Sequence, residues 1–315
     1  MTKWLRGHMK HITDMSHRYI HRPKDPFGHH WRCALDLMAY RQSPSELLRT
    51  ADVARMIPRL AGGTSLDVGA RDGHFSKLLA EQFHAVTALD LKAPNLSHPR
   101  VQCVSGDVSA LDFHDDAFDL VVCTEVLEHV VPASLQAACA ELARVCSHYL
   151  LIGVPFKQDI RVGRTTCIHC RAVNPPWGHV NAFDEARLRV LFSRLNLEKL
   201  SFVGSHGGTT NKLACRLLDW AGNPYGTYDQ DEACLACGAP QRKAPPRNLL
   251  QRVATRAAHW ARRATEPAQS SEPFWIHCLF RKPASHGAAQ RSSHGVPRQA
   301  HAQPAARANM PSVSA

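Results

Sequence analysis

The feature that most constrains this chain is a repeated alternation of short apolar runs with helix-length amphipathic segments. Strands are predicted at about 64–68 (TSLDV), 85–90 (AVTALD), 101–104 (VQCV), 118–123 (FDLVVC), 149–154 (YLLIGV) and 198–203 (EKLSFV). A last one falls at about 273–281 (PFWIHCLFR), and helices fit about 74–82, 132–146 and 184–194. Parallel neighbours need a crossover connection, and strands covered on both faces read as nearly continuous apolar runs. The expected fold is therefore α/β, with a doubly wound, mostly parallel seven-stranded sheet.

A chain of 315 residues, 44% of them hydrophobic, can fill one large α/β core and has residues left for additions. Its formal charge of +11 invites a polyanion-binding reading, but the excess sits at the ends. Residues 241–315 hold 12 basic and 2 acidic side chains and residues 1–24 hold 6 and 1, which leaves residues 25–240 slightly acidic. No run of 18 apolar residues occurs, and the opening lacks the apolar stretch of a signal peptide, so a cytoplasmic protein is expected. Thiols stay reduced there, and the 11 cysteines read as buried apolar residues or metal ligands before disulfides.

The same patterning predicts the organisation along the chain. Residues 1–30 read as a basic flexible arm and 31–60 as a helical lead-in interrupted by Pro44 and Pro58. Residues 61–205 form the core, 206–272 a cap insertion and 273–282 the last core strand. The tail 283–315 has almost no large apolar residues and is expected to be disordered.

The segment LDVGARDGHF, residues 66–75, reads as strand, glycine-bearing turn and helix start. In a doubly wound sheet, ligands bind beyond the carboxyl ends of the strands. Gly69 and Gly73 leave room there for close backbone approach. The spacing is not that of the dinucleotide fingerprint, since Arg71 stands where a middle glycine is common. Asp90 closes the second strand, Asp107 and Val108 follow the third, and the fourth runs into FDLVVCTEVLEHV. This order resembles the class I S-adenosylmethionine-dependent methyltransferases, especially the group with an E-V-L-E-H segment that includes ubiquinone-biosynthesis O-methyltransferases. The resemblance implies a Rossmann-like fold over about 60–205 and the last strand. It further implies S-adenosylmethionine as cofactor. Asp67, Gly69, Ala70 and Gly73 would line its methionine part, Asp90 and Leu91 its ribose, Asp107 and Val108 its adenine, and Thr124 the end of strand four beside it.

Methyl transfer from a sulfonium needs mainly in-line alignment, with a base where the acceptor must lose a proton. Candidate groups are Glu125, Glu128 and His129 just past strand four, with His179 in GHVNAF; scaffold roles for them remain open. Glu125, Glu128, His129, His179 and Phe183 also resemble, in order, the divalent-metal segment of small-RNA 2′-O-methyltransferases.

Two C-x-x-C knuckles stand apart, Cys167 with Cys170 and Cys234 with Cys237. Together they read as a four-thiolate structural Zn²⁺ site, with no open position for chemistry. Redox pairs and unrelated buried thiols are the alternatives. The first knuckle (155–180) follows strand five and the second lies between strands six and seven, so a shared zinc would build a cap over the acceptor side of the cleft. His206–Thr209 and residues 223–232, with Tyr225 and Tyr228, read as a substrate-facing loop or as ordinary turns. Residues 248–264 form a basic amphipathic helix with Leu249, Val253 and Trp260 on one face and Arg252, Arg256 and Arg263 on another. It suits weak contact with a membrane surface or polyanion, or packing on its own domain.

The expected function is methylation of an oxygen on a small-molecule or saccharide-type acceptor. The rivals are an RNA or protein methyltransferase that uses the basic ends, nucleic acid being disfavoured by the acidic core, and a catalytically inactive zinc-bearing scaffold.

Overall fold

The computed structural model describes residues 37–60, 62–205, 208–264 and 272–283. The arm 1–30, the tail after Pro283 and the pair His206–Gly207 lie outside the described residues.

Two lead-in helices, α1 (Leu37–Arg41) and α2 (Pro44–Met56), precede the sheet. The lead-in is broken just before Pro44 and ends just before Pro58, as expected, and Pro44 opens the second helix. It occupies the first turn of α2, where its missing N–H costs nothing, and the Ser43 side chain accepts from the Glu46 N–H. The core then runs β1 (Thr64–Val68), α3 (His74–Ala80), β2 (Ala85–Asp90), β3 (Val101–Ser105), β4 (Phe118–Thr124), α4 (Pro132–Val145) and β5 (Cys146–Pro155). A hairpin, β6 (Thr165–Thr166) and β7 (Val173–Asn174), leads to α5 (Glu185–Leu191) and β8 (Asn196–Val203). Helices α6 (Lys212–Trp220) and α7 (Leu249–Arg263) fill the last insertion before β9 (Trp275–Arg281).

Seven strands form one sheet in the order β3-β2-β1-β4-β5-β9-β8. The pairs among β1 to β5 are parallel, whereas β9 lies antiparallel between β5 and β8. The sheet is thus the doubly wound, mostly parallel, Rossmann-like arrangement expected. Strand alternation supplies two cores. Val121 and Cys123 of β4 pack with α4 and α5 on one face. Leu120 and Val122 pack with α2 and α3 on the other. Each fully buried leucine contributes about 1.5–3 kcal/mol relative to exposure.

The boundaries differ from the sequence reading where a side chain acts as a cap. Asp184, placed inside a helix by pattern, instead accepts from Arg187 N and starts α5. Cys146 both ends α4 and opens β5, so no loop separates them.

Candidate functional site

Turns leaving the carboxyl ends of β1, β2 and β4 build the site. At the end of β1, Gly69 and Gly73 adopt φ of +77° and +71°. A Cβ at Gly69 would stand 2.2 Å from Val126 Cγ2, and one at Gly73 would stand 2.5 Å from Leu96 Cδ2. Their missing side chains therefore let neighbouring loops of the protein close over the turn. The Gly69 and Ala70 N–H groups both donate to Leu89 O, fixing the turn against β2.

Alternation along β1 turns Asp67 towards α3, where it accepts from Ser76 Oγ at 2.5 Å beneath the turn. Burial pushes its carboxyl up to about 6, against the Ser76 hydrogen bonds. An unfolded-state carboxyl titrates near 3.9, so the folded protein holds this proton more tightly. The associated stability is full below about pH 4 and is lost as pH rises through about 6. Urea unfolding between pH 4 and 7 is expected to show a decline of about 2–3 kcal/mol from this group. Asp67→Asn is expected to remove it; an unchanged slope in the variant would contradict the assignment.

Asp90 ends β2 with its carboxylate accepting from Arg71 N and Leu91 N, both at 2.8 Å. Two backbone donors fix its orientation and leave lone pairs for a ligand. Leu91 is exposed beside it. Asp107 accepts from Ser109 N and Oγ, which hold its pKa down, and Val108 is buried behind it. Thr124 is buried at the end of β4.

After Thr124 the chain turns through Glu125, a non-glycine residue at φ +58°, whose N–H donates to Gly153 O on β5. The GHVNAF segment clamps residues 127–130, just beyond that turn. Val180 N and Asn181 N donate to Glu128 O, and Asn181 Nδ2 donates to Leu127 O and Val130 O. The clamp brings the His129 and His179 rings edge to face, with centroids 4.6 Å apart. Glu128, His129 and His179 can each offer one metal-ligating atom, with the three atoms within 4.8 Å of one another. Burial raises the pKa of both Glu125 and Glu128, and for Glu128 the Glu125 charge adds to it. Burial lowers His129, with Arg71 nearby adding to the effect, and takes His179 down to about 3. Both imidazoles are therefore held neutral at ordinary pH. His179 Nδ1 lies 2.6 Å from Gln158 Oε1, which orients that ring.

Periodicity gave no sign of the other wall of this site. Arg49 on α2 is buried, bound to Glu46 through two nitrogens, and close enough to Glu125 for their charges to interact. Tyr40 Oη and Arg41 Nη1 also donate to Glu46, while Arg41 reaches Asp72 behind the glycine turn. Arg49 Nη1 is buried without a hydrogen-bond partner among the described residues. Beside it Trp275 lies close enough to lower the Glu125 carboxyl by hydrogen bonding, against the larger effect of burial, and Glu125 lies close enough to Glu128 to interact with it, with both Glu128 carboxylate oxygens buried. Buried polar atoms are normally paired, so this group from α2, β9 and the loop after β4, with the Arg49 nitrogen orphaned, marks a place suited to a polar ligand.

The two cysteine knuckles come together. Cys167 Sγ lies 3.7 Å from Cys237 Sγ, and Cys170 Sγ lies 3.6 Å from Cys234 Sγ. All four sulfurs lie within 4.8 Å of one another. Four thiolates bound tetrahedrally at about 2.3 Å would stand about 3.8 Å apart, so the spacing fits one shared ion and is too long for disulfides. The knuckles repeat one backbone pattern. Cys167 N donates to Ala172 O and Arg171 N to Cys167 O; Cys234 N donates to Ala239 O and Gly238 N to Cys234 O. Arg171 and Gly238 both have positive φ, 65° and 70°. Partial burial raises the Cys234 thiol, but N–H donation from Ala236 and Cys237 outweighs this and takes it down to about 6.

The second knuckle is also tied to the glycine turn after β1. Arg71 Nη2 pairs with Asp231 Oδ2 at 2.8 Å. Half-exposed pairs of this kind contribute little stability, so the contact chiefly sets position. Tyr228 does not face a cleft. It is engaged beneath the first knuckle, accepting from Thr166 N and donating to Gly222 O, whereas Tyr225 is exposed.

Residues 66–148 match the family model for a methyltransferase domain. A ubiquinone biosynthesis O-methyltransferase of Aromatoleum aromaticum is 41% identical over 96 residues, covering 27% of this chain and 41% of that protein. One of Pectobacterium atrosepticum is 31% identical over 112 residues, covering 32% of this chain and 46% of that protein. The chain thus spans less than half the length of these curated relatives. The N-methyltransferase NodS of Bradyrhizobium japonicum aligns with 77% of this chain and 99% of its own, at 15% identity and a TM-score of 0.44.

Proposed function

We propose that this chain, which carries the methyltransferase domain of the class I S-adenosylmethionine-dependent enzymes, methylates an oxygen of a small-molecule or saccharide-type acceptor. The observation that carries the reading is the meeting, at one end of the sheet, of three parts. They are the Gly69–Gly73 turn, the Asp90 carboxylate oriented by two N–H groups, and the loop bearing Glu125, Glu128 and His129. The O-methyltransferase names of the relatives support oxygen as the atom modified. The slightly acidic balance of residues 25–240 supports a small acceptor over a polymer.

When bound, the donor supplies a methyl group on a sulfonium, a good leaving group. The chain's own residues then bind, orient and move a proton. Asp90 accepts from ribose hydroxyls, while Asp107 with Val108 borders the base. His129, neutral through burial, takes the acceptor's proton as the new bond forms. His179, held by Gln158, packs edge-on against His129 and fixes its ring. Arg49, with its buried Nη1 left unpaired, and the adjoining Glu125, Glu128 and Trp275 form the polar wall that holds the acceptor. Cys167, Cys170, Cys234 and Cys237 bind one structural zinc that fixes the cap. We place the enzyme in the cytoplasm, where these thiols stay reduced.

The cluster of Glu128, His129 and His179 favours a second reading, in which a divalent ion on these residues orients the acceptor hydroxyl. The donor assignment is tested by calorimetry with S-adenosylhomocysteine. Binding is expected in the native chain, with affinity about 10- to 100-fold weaker in Asp90→Ala, as for loss of hydrogen bonds to a charged acceptor. No heat with the native chain, or equal affinity in the variant, would overturn the reading.

A further inference from the structure

The amphipathic helix α7 does not use its larger apolar residues for packing. It rests on the protein through Ala254, Thr255 and Ala258. Leu249, Val253 and Trp260, on the opposite side, are 75%, 57% and 68% exposed. Arg252, Arg256 and Arg263 flank this stripe, and the helix contains no acidic residue. These three arginines have no ion-pair partner among the described residues.

Helix α6 extends the same kind of surface. Gln251 Nε2 donates to Trp220 O, and Asn211 Nδ2 donates to Ala261 O, so the two helices run antiparallel. The exposed Trp220 and Leu213 thereby fall near opposite ends of α7, with Lys212 and Arg216 also exposed on α6. Asp219, the acidic residue of α6, is engaged with Arg164 and so does not offset these cations.

We propose that the outer face of the α6–α7 pair docks in the plane of an anionic lipid surface. Leucine, valine and tryptophan enter the acyl–headgroup boundary while lysine and arginine meet the headgroup charges. A nucleic-acid track would leave Leu249, Leu250 and Val253 in water without a partner. Among the described residues no helix is long and apolar enough to cross a membrane, which fits contact along the surface. The face belongs to the insertion that carries the second knuckle. Arg161 Nη2 donates to Thr210 O just before α6, and Arg164 holds Asp219. Docking would therefore set the cap against the lipid, whatever the acceptor is.

The test is co-sedimentation of the full chain with vesicles of phosphatidylcholine alone or with added phosphatidylglycerol, at low and moderate salt. Pelleting is expected only with phosphatidylglycerol and weaker at moderate salt. Because the chain ends are also basic, the helix variants decide. Arg252→Gln with Arg256→Gln is expected to lower the partition coefficient about tenfold or more. Trp260→Ser with Leu249→Ser is expected to lower it similarly while leaving net charge and the thermal transition unchanged. Unchanged partitioning in either variant pair would overturn the proposal. So would absence of pelleting, tighter binding of a single-stranded RNA that survives the Trp260→Ser change, or a dimer by light scattering that this change dissolves.

Discussion

Gly69→Val is expected to abolish donor binding and to destabilise the chain by about 3 kcal/mol or more. Two costs act together. At φ +77° a β-branched residue is forced into a left-handed backbone, at about 1–3 kcal/mol. Its Cβ would also overlap Val126 Cγ2, a contact relieved by turning the stiff Val126 side chain or by moving the loop that carries Glu125, Glu128 and His129. Since Gly69 N and Ala70 N pair with Leu89 O, relief in the other direction pulls the turn off β2 and Asp90. Calorimetry with S-adenosylhomocysteine and urea unfolding measure the two effects. Retained affinity within threefold would show that the turn takes no part in holding the donor.

Cys234→Ser is expected to cost turnover at least about 100-fold while leaving donor affinity within about threefold. The core has its own two hydrophobic clusters and does not need the knuckles to fold. The cap has little comparable packing, so losing a ligand should free it and displace the acceptor wall. Elemental analysis of native protein purified without chelator should give one zinc per chain, and close to none in the variant. A native value near zero would refute the shared site. Two ions per chain, one of them lost in His179→Ala, would instead favour the divalent reading at Glu128, His129 and His179.

The sheet and the turn after β1 were legible in the sequence because each is local. Apolar runs of strand length, a glycine pair and an acidic residue at the end of β2 carry their own signals. The knuckles were legible as pairs, and their convergence came from the direction in which β5 and β8 leave the sheet. What the sequence concealed depends on contacts distant along the chain or on a half-turn of geometry. Asp67 is placed at the turn by its position near the end of β1, and its partner Ser76 becomes visible only through strand alternation. Arg49 carries no signal of its own in the sequence, and only the loop after β4 and Trp275, both distant along the chain, bury it. The Arg71–Asp231 pair joins residues 160 apart, and no spacing rule reaches that far. Tyr228 reads as part of a substrate-facing loop or of an ordinary turn, but its hydroxyl is engaged beneath the first knuckle. For α7 the apolar face was correctly located, while its direction relative to the protein is set by the small residues Ala254 and Ala258.

The position of β9 between β5 and β8 has a consequence for synthesis. As the chain leaves the ribosome, β8 emerges with no hydrogen-bonding neighbour of its own, because the strand it pairs with is made only after the knuckle-bearing insertion. Until Trp275–Arg281 arrive, β5 is an open border and β8 a detached ribbon. The sheet is completed beside its β8 edge by a segment translated after the insertion, so a stop codon before Trp275 would remove two strand pairings, β5 with β9 and β9 with β8, rather than one.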